Sequence, residues 1–284
     1  MNTKQIHMFL KEDAPQGDIT TRAVFGDAAQ NVRAEIIAKQ AMVVSGFDAV
    51  QKILRTRFPK LKLKVLHRDA APVKNKTVLG LISGPVLDLL VAERLVLNIL
   101  QRMSGIATQT AGFVKRVHGF KVKILDTRKT TPGLRYEEKR AVKDGGGYNH
   151  RVNLSDQYLI KDNHIEAAGS VTLAIQKVKE HRLRSRNKKL IEVEVRNMLE
   201  FKEALMMAPD IILLDNMSCA QIKQAVALRN HRVCQGKPQL EISGGVGLHN
   251  IGKYARLGVE RISIGALTHS VRAADIAINI IIKI

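Results

Sequence analysis

The sequence predicts an α/β protein whose C-terminal part is a barrel, incomplete or seven-stranded. Three observations carry that expectation. From about residue 120, short apolar, β-branched runs alternate with longer amphipathic segments. Buried strands separated by helices form parallel βα units. Nearly every run ends in a charged, polar or glycine-rich group, and six such runs can be counted. Functional groups collected at the C-terminal ends of successive strands mark a barrel mouth, whereas an open doubly wound sheet concentrates them at one switch point.

The elements follow in order. Residues 1 to about 110 mix strand-like runs (Arg33 to Lys39, Met42 to Val44, Leu61 to Leu66, Val78 to Ile82) with two helical patterns. The stronger helix runs from Val86 to about Met103, with Leu87, Leu90, Val91, Leu95 and Ile99 at helical spacing behind a Gly84-Pro85 start. The later strands are Val122 to Leu125, Tyr158 to Ile160, Leu190 to Val195, Ile211 to Leu214, Leu240 to Ile242 and Arg261 to Ile264. Helices are expected over Val171 to His181, Met198 to Met207 and Cys219 to Arg229. The apolar end, Ala277 to Ile284, reads as a helix or strand packed on a core.

Composition narrows the classes. At 284 residues one or two domains fit, and 45% hydrophobic content excludes a largely disordered chain. Aromatic residues are only 4%, which argues against gripping single strands or sugars by stacking. Two cysteines, Cys219 and Cys234, are too few for a disulfide framework or a cysteine zinc site. No apolar run approaches the roughly 20 residues of a membrane helix, and Met1 to Glu12 lacks a signal-peptide core. The expected location is the cytoplasm, with no membrane partner. The outlying number is a net charge of +20, from 46 Lys+Arg against 26 Asp+Glu. Alone it leaves nucleic acid, anionic membrane and small polyanions open.

Position decides among them. Asp126-Thr127-Arg128-Lys129 leaves a buried strand directly, followed by a Thr-Thr-Pro-Gly turn. Arg presents a bidentate fork for carboxylate and Lys a point charge for phosphate. His150 and Arg151 end the glycine-rich loop 145–151, and Lys161 ends the next strand, where its charge is unfavourable unless it meets an anion. His164 reads as a structural histidine. Glu192 and Glu194 alternate on one strand and share a face; Asp215 ends the next. These acids could hold magnesium or steady a cationic transition state, or equally form internal salt bridges with the cations. Ser243-Gly244-Gly245 and Gly265, after the last two strands, offer backbone N–H groups as a phosphate cradle. Position 250 is Asn, so this segment departs from the dinucleotide fingerprint. Lys177 to Lys189 is strongly basic but precedes a strand, which puts it on the opposite rim as a solvated loop.

Taken together, Asp126-Thr-Arg-Lys-Thr-Thr-Pro-Gly133, Asn149-His-Arg151, Lys161-Asp-Asn-His164, Glu192-Val-Glu194, Leu214-Asp-Asn216 and Ser243-Gly-Gly245 closely resemble the quinolinate phosphoribosyltransferase family. The likeness continues N-terminally through Gly17-Asp-Ile-Thr-Thr21, Ala92-Glu-Arg-Leu-Val-Leu-Asn98 and Ser104-Gly-Ile-Ala-Thr108. It implies a type II phosphoribosyltransferase: an N-terminal α/β sandwich over 1–112, with 271–284 packing on it, and a seven-stranded α/β barrel over 113–270. It implies joining quinolinate to phosphoribosyl pyrophosphate with magnesium, giving nicotinate mononucleotide, pyrophosphate and carbon dioxide. By the resemblance Arg128, His150, Arg151 and Lys161 hold the quinolinate carboxylates, Arg102 joins them from a partner subunit of a homodimer or hexamer, and Thr127 lines the site. Lys129 faces quinolinate and pyrophosphate. Glu194 and Asp215 face ribose and magnesium, and Ser243, Gly244, Gly245, Gly265 and His269 take the 5′-phosphate. A related transferase for another pyridine or a molybdenum-linked substrate, and a basic nucleic-acid-binding protein, are the rival readings. The strand-end cations speak against the first, and the split of the cations between the barrel mouth and a distant loop against the second.

Overall fold

The computed structural model describes residues 1–26, 30–232 and 237–283, so Cys234 and Ile284 lie outside the described residues. The chain opens with α1 (Thr3–Asp13), α2 (Ile19–Phe25), β1 (Asn31–Ala38), β2 (Met42–Val43), α3 (Phe47–Arg57), β3 (Lys62–Val65), β4 (Pro72–Val73), β5 (Val78–Pro85) and α4 (Val86–Arg116). It continues through β6 (Lys123–Leu125), α5 (Arg135–Asp144), β7 (Tyr158–Ile160), α6 (Asp162–Ala168), α7 (Val171–Arg184), β8 (Ile191–Val195), α8 (Met198–Met207) and β9 (Ile211–Asp215). The last elements are α9 (Cys219–Arg232), β10 (Gln239–Ser243), α10 (Ile251–Ala255), β11 (Arg261–Ser263), α11 (Ala266–His269) and β12 (Ile276–Lys283).

Two compact units divide this order. The first comprises Met1–Ala111, Thr130–Gly146 and Leu267–Ile284; the second, Gly112–Lys129 and Gly147–Ala266. Thr130–Gly146 thus groups with the first unit, although it lies inside the stretch 113–270.

In the first unit an antiparallel sheet runs β12-β1-β5-β3. Alternate residues of β1 (Val32, Ala34, Ile36, Ala38) are buried, the period-two pattern of a sheet with one face on a core. Helix α3 buries Phe47, Val50, Ile53 and Leu54 on one face, and the Phe47 ring lies over Gly80 of β5. The apolar C-terminal end is the strand β12, antiparallel to β1.

Helix α4 overruns the expected end near Met103 and continues to Arg116. Gly105 does not break it. A Cβ there would come 2.4 Å from the Arg272 carbonyl oxygen, so the glycine serves a close backbone approach. Helix α5 is missing from the sequence reading because its buried face carries acids: Glu137 and Glu138 are enclosed, so the apolar stripe is interrupted. Glu137 takes the Met1 ammonium and Glu138 the Arg102 guanidinium.

The second unit is the α/β barrel. Its six strands are all parallel in the order β6-β11-β10-β9-β8-β7. Strands β6 and β7 are consecutive along the chain yet stand at opposite ends of that order, the arrangement of a sheet curling on itself. The expected seventh strand is reduced to one residue, Tyr148, in a parallel bridge to Leu125 of β6. It goes no further because the next backbone N–H groups are taken by side chains. Among the described residues no helix is long and apolar enough to cross a membrane.

Gly105→Ala tests the close approach. The better helix propensity of alanine favours it by up to about 1 kcal/mol, and overpacking opposes it by about 1–3 kcal/mol. Net destabilisation in urea unfolding is expected; a stabilised variant would contradict the packing.

Candidate active site

Register fixes which side chains face the barrel interior. Glu192 pairs with Ile211 and Glu194 with Leu213, so both acids share a face with Asp215. Through Gln239↔Ile211, Leu213↔Glu241 and Asp215↔Ser243 that face continues onto β10, and through Glu241↔Arg261 onto β11. Val193 and Val195 point the other way and are fully buried.

A charged layer occupies this interior. Glu192 and Glu241 are both 0% exposed, and β9 lies between their strands. His150 bridges them: its Nε2 lies 3.0 Å from Glu192 and 3.4 Å from Glu241. Arg261 Nε donates to Glu241, and Gln157 Nε2 to Glu192. Burial works against charge on His150, but the hydrogen bond and charge of Glu192, with Glu241 behind them, hold its pKa above the ordinary value. Burial and the repulsion of Glu192 push the Glu241 carboxyl up. The Nδ1 of His150 accepts the Arg151 N–H at 2.8 Å, which requires a lone pair there and puts the ring proton on Nε2.

Above this layer the strand ends present the expected cations. Arg151 is 7% exposed; burial and the neighbouring charge of Arg128 lower its pKa. Two guanidiniums close enough to repel form a concentrated positive site, with Glu192 and Glu194 as partial counter-charges. Lys161 Nζ pairs with Glu194 at 3.0 Å. The turn after β6 is shaped by its own side chains. Asp126, fully enclosed, accepts His150 N at 2.9 Å and Asn149 Nδ2 at 2.8 Å, while Thr127 Oγ1 accepts Lys129 N at 3.1 Å. His164 accepts Lys161 N at 2.9 Å and is structural.

The late loops are built around glycine. Gly244 has φ +91°, and a Cβ there would lie 2.1 Å from Asn216 Oδ1. Asn216 in turn donates its backbone N–H to the Ser243 carbonyl at 2.9 Å and its Nδ2 to Asp215 at 3.0 Å. At Gly245 nothing lies within 4 Å of an added Cβ, so its backbone faces open space. Asn250, the residue that departs from the dinucleotide fingerprint, ties the loop together: its Oδ1 accepts Gly247 N at 2.8 Å and its Nδ2 donates to the Gly245 carbonyl at 2.9 Å. Gly265 lies two residues beyond the end of β11.

Two of the expected site residues belong to the first unit. There Arg102 donates to Glu138 at 2.8 Å, to Thr131 Oγ1 at 3.1 Å and to the Thr268 carbonyl at 2.7 Å. His269 Nδ1 lies 2.6 Å from Ser270 Oγ. The basic stretch expected as a loop is helical through Arg184, the end of α7, and Arg182 within that helix pairs with Asp210 at 2.8 Å.

Among the described residues His150, Glu192 and Glu241 form the one group of three or more acidic, histidine or cysteine side chains close enough together to share a metal. Arg261 and Gln157 already occupy oxygens of the two acids, so the triad is an ionic layer. Glu194 and Asp215 are hard oxygen donors on one interior face, a set that suits magnesium. The sequence reading missed Glu241, Arg261 and Gln157. A charged residue in the middle of a buried strand (Glu241 between Leu240 and Ile242) was the available signal.

A parallel α/β barrel with a cation-lined mouth, two carboxylates and glycine loops after its last strands defines an enzyme for small polyanions. The family comparisons agree. Residues 18–104 match the N-terminal domain, and residues 106–279 the C-terminal domain, of quinolinate phosphoribosyl transferase. The chain belongs to the quinolinate phosphoribosyltransferase family. It is 41% identical to the nicotinate-nucleotide pyrophosphorylase (carboxylating) of Mycobacterium leprae, over 97% of this chain and 95% of that protein. It is 37% identical to the probable enzyme of the same name from Bacillus subtilis, over 98% and 92%. The crystal structure of nicotinate-nucleotide pyrophosphorylase from Ehrlichia chaffeensis superposes with a TM-score of 0.91 at 39% identity, covering 99% of this chain and 98% of that one.

Gly244→Ala is expected to lower stability by about 1–3 kcal/mol, from positive φ and the Asn216 contact together. Adding Asn216→Ala should recover the contact part in thermal melts; no recovery would mean backbone strain alone is responsible.

Proposed function

We propose that the chain transfers the phosphoribosyl group of phosphoribosyl pyrophosphate to quinolinate, releasing pyrophosphate and carbon dioxide and forming nicotinate mononucleotide, in de novo NAD biosynthesis. The observation that carries this reading is the convergence of Arg128 and Arg151. The buried Arg151 guanidinium feels the positive charge of the half-buried Arg128, and the carboxylates of a dianionic pyridine would stabilise both.

Joining two polyanions is unfavourable without dense positive charge. In this reading Arg128, Arg151 and Lys161 neutralise and orient the quinolinate carboxylates, with His150 supporting them from the layer below and Thr127 beside them. Lys129 lies between quinolinate and the leaving pyrophosphate. Ser243, Gly244, Gly245, Gly265 and His269 receive the 5′-phosphate; the open backbone at Gly245 supports that assignment. Glu194 and Asp215 stabilise the cationic ribose as the C1′–O bond to pyrophosphate breaks and the pyridine nitrogen lone pair forms the new bond. The same two carboxylates would hold magnesium, which when bound would neutralise charge on the leaving pyrophosphate. The adduct then loses the carboxylate next to the ring nitrogen as carbon dioxide. The electron pair left on that carbon, stabilised by the adjacent cationic nitrogen, takes a proton from water. The assembly is a homodimer or hexamer in which Arg102 completes the neighbouring subunit's site, and the enzyme acts in the cytoplasm.

Purified protein incubated with quinolinate, phosphoribosyl pyrophosphate and magnesium should form nicotinate mononucleotide, measured by chromatography; no product overturns the activity. Arg128→Ala is expected to weaken quinolinate recognition by on the order of 2–5 kcal/mol, about 30-fold to several thousandfold in quinolinate kcat/KM. Unchanged kinetics would remove Arg128 from the site. Mixing inactive Arg102→Ala and Lys129→Ala proteins should restore partial activity. A mixture as inactive as its parts would place Arg102 in its own subunit's chemistry.

A further inference from the structure

The segment that carries Arg151 is held almost wholly by side chains. Three consecutive backbone N–H groups leave the bridge at Tyr148 without a strand partner and go instead to side-chain acceptors: His150 N to Asp126 Oδ1 at 2.9 Å, Arg151 N to His150 Nδ1 at 2.8 Å and Val152 N to Asp156 Oδ2 at 2.8 Å. Asn149 adds a side-chain bond to Asp126. The central acceptor, the His150 ring, is itself fixed by what its other nitrogen meets. Nε2 contacts both oxygens of Glu192, at 3.0 and 3.1 Å, and lies 3.4 Å from Glu241 Oε1, which has no hydrogen-bond partner of its own. Both acids are 0% exposed and locked in turn by Gln157 and Arg261.

We propose that Glu192 and Glu241 are positioning residues: through the His150 imidazole they set the backbone from which Arg151 meets a substrate carboxylate. Neither acid reaches the mouth. Their effect passes along a chain of hydrogen bonds, in the way a carboxylate behind a histidine fixes its tautomer and ring plane. Glu192 carries more of it because it makes the direct bond; Glu241 keeps the ring from turning away. This rests on the activity proposed above, and it assigns the discrimination of a dicarboxylate partly to a layer that never touches one.

The chain of contacts makes a specific prediction. Glu192→Gln keeps the shape but removes the negative charge and replaces one of the two acceptor oxygens that face His150 Nε2 and Gln157 Nε2 with an NH2 donor. Quinolinate KM, and the quinolinate Kd read by calorimetry, should rise about tenfold or more, while the KM for phosphoribosyl pyrophosphate stays within about threefold of wild type. Because Glu192 acts through His150, adding Glu192→Gln to His150→Ala should have little further effect. Equal shifts in both KM values, no shift in a folded variant, or additive losses in the double variant would overturn the proposal. Should Glu192→Gln not fold, Gln157→Ala, which only loosens Glu192, is read by the same split. Wild-type protein that forms no nicotinate mononucleotide counts against the activity. Wild-type protein that forms it while the variants show no quinolinate-selective loss counts against the positioning layer alone.

Discussion

Burying Glu192, Glu241 and Asp126, all 0% exposed inside one barrel, is tolerable only if each carboxylate is met by donors. The way they are met organises much of the second unit. Arg261 and Gln157 come from neighbouring strands and loops, and His150 and Asn149 from the segment after the Tyr148 bridge. Asp126 thus shapes the turn that carries Arg151, and the barrel's seventh position ends after one residue because backbone donors are diverted to side chains. An apolar interior would be no less stable in principle. A fixed ionic layer specifies one geometry for the cations above it.

Those cations, not the overall charge, carry the chemistry. Of the +20 excess, much sits on surfaces such as the basic end of α7, where Arg182 pairs with Asp210 on the rim opposite the mouth. The informative cations are Arg128, Arg151 and Lys161, each leaving a strand end or the bridge. Arg128 and Arg151 repel each other, while Lys161 is balanced by Glu194. Several cations held close together at strand ends are what a site for an incoming anion requires.

Much of this was legible in the sequence, for physical reasons that can be named. Buried parallel strands read as β-branched apolar runs, so the six barrel strands were found close to their observed bounds. The strand-end motifs marked the mouth because loops there are free of packing duties. Elements whose buried faces are polar were hidden. Helix α5 encloses Glu137 and Glu138, and Glu241, inside the expected strand Leu240 to Ile242, was given no role although it is part of the interior layer. Helix α4 was cut short at Ser104-Gly105, since a glycine demanded by the Arg272 backbone cannot be told from a breaker without the partner. Glu192 posed the open question of salt bridge or metal ligand; its contacts with His150 and Gln157 make it an acceptor in an interior hydrogen-bonded layer.

The central claim is that the paired guanidiniums at 128 and 151 are built for two carboxylates on one pyridine. Calorimetric titration of the wild-type protein with quinolinate and, separately, with the monocarboxylate nicotinate tests it most directly. The account predicts that quinolinate binds more tightly by about 1.5–3 kcal/mol, the worth of a hydrogen bond to a charged group, roughly 10- to 150-fold. Equal affinity for the two acids would contradict it.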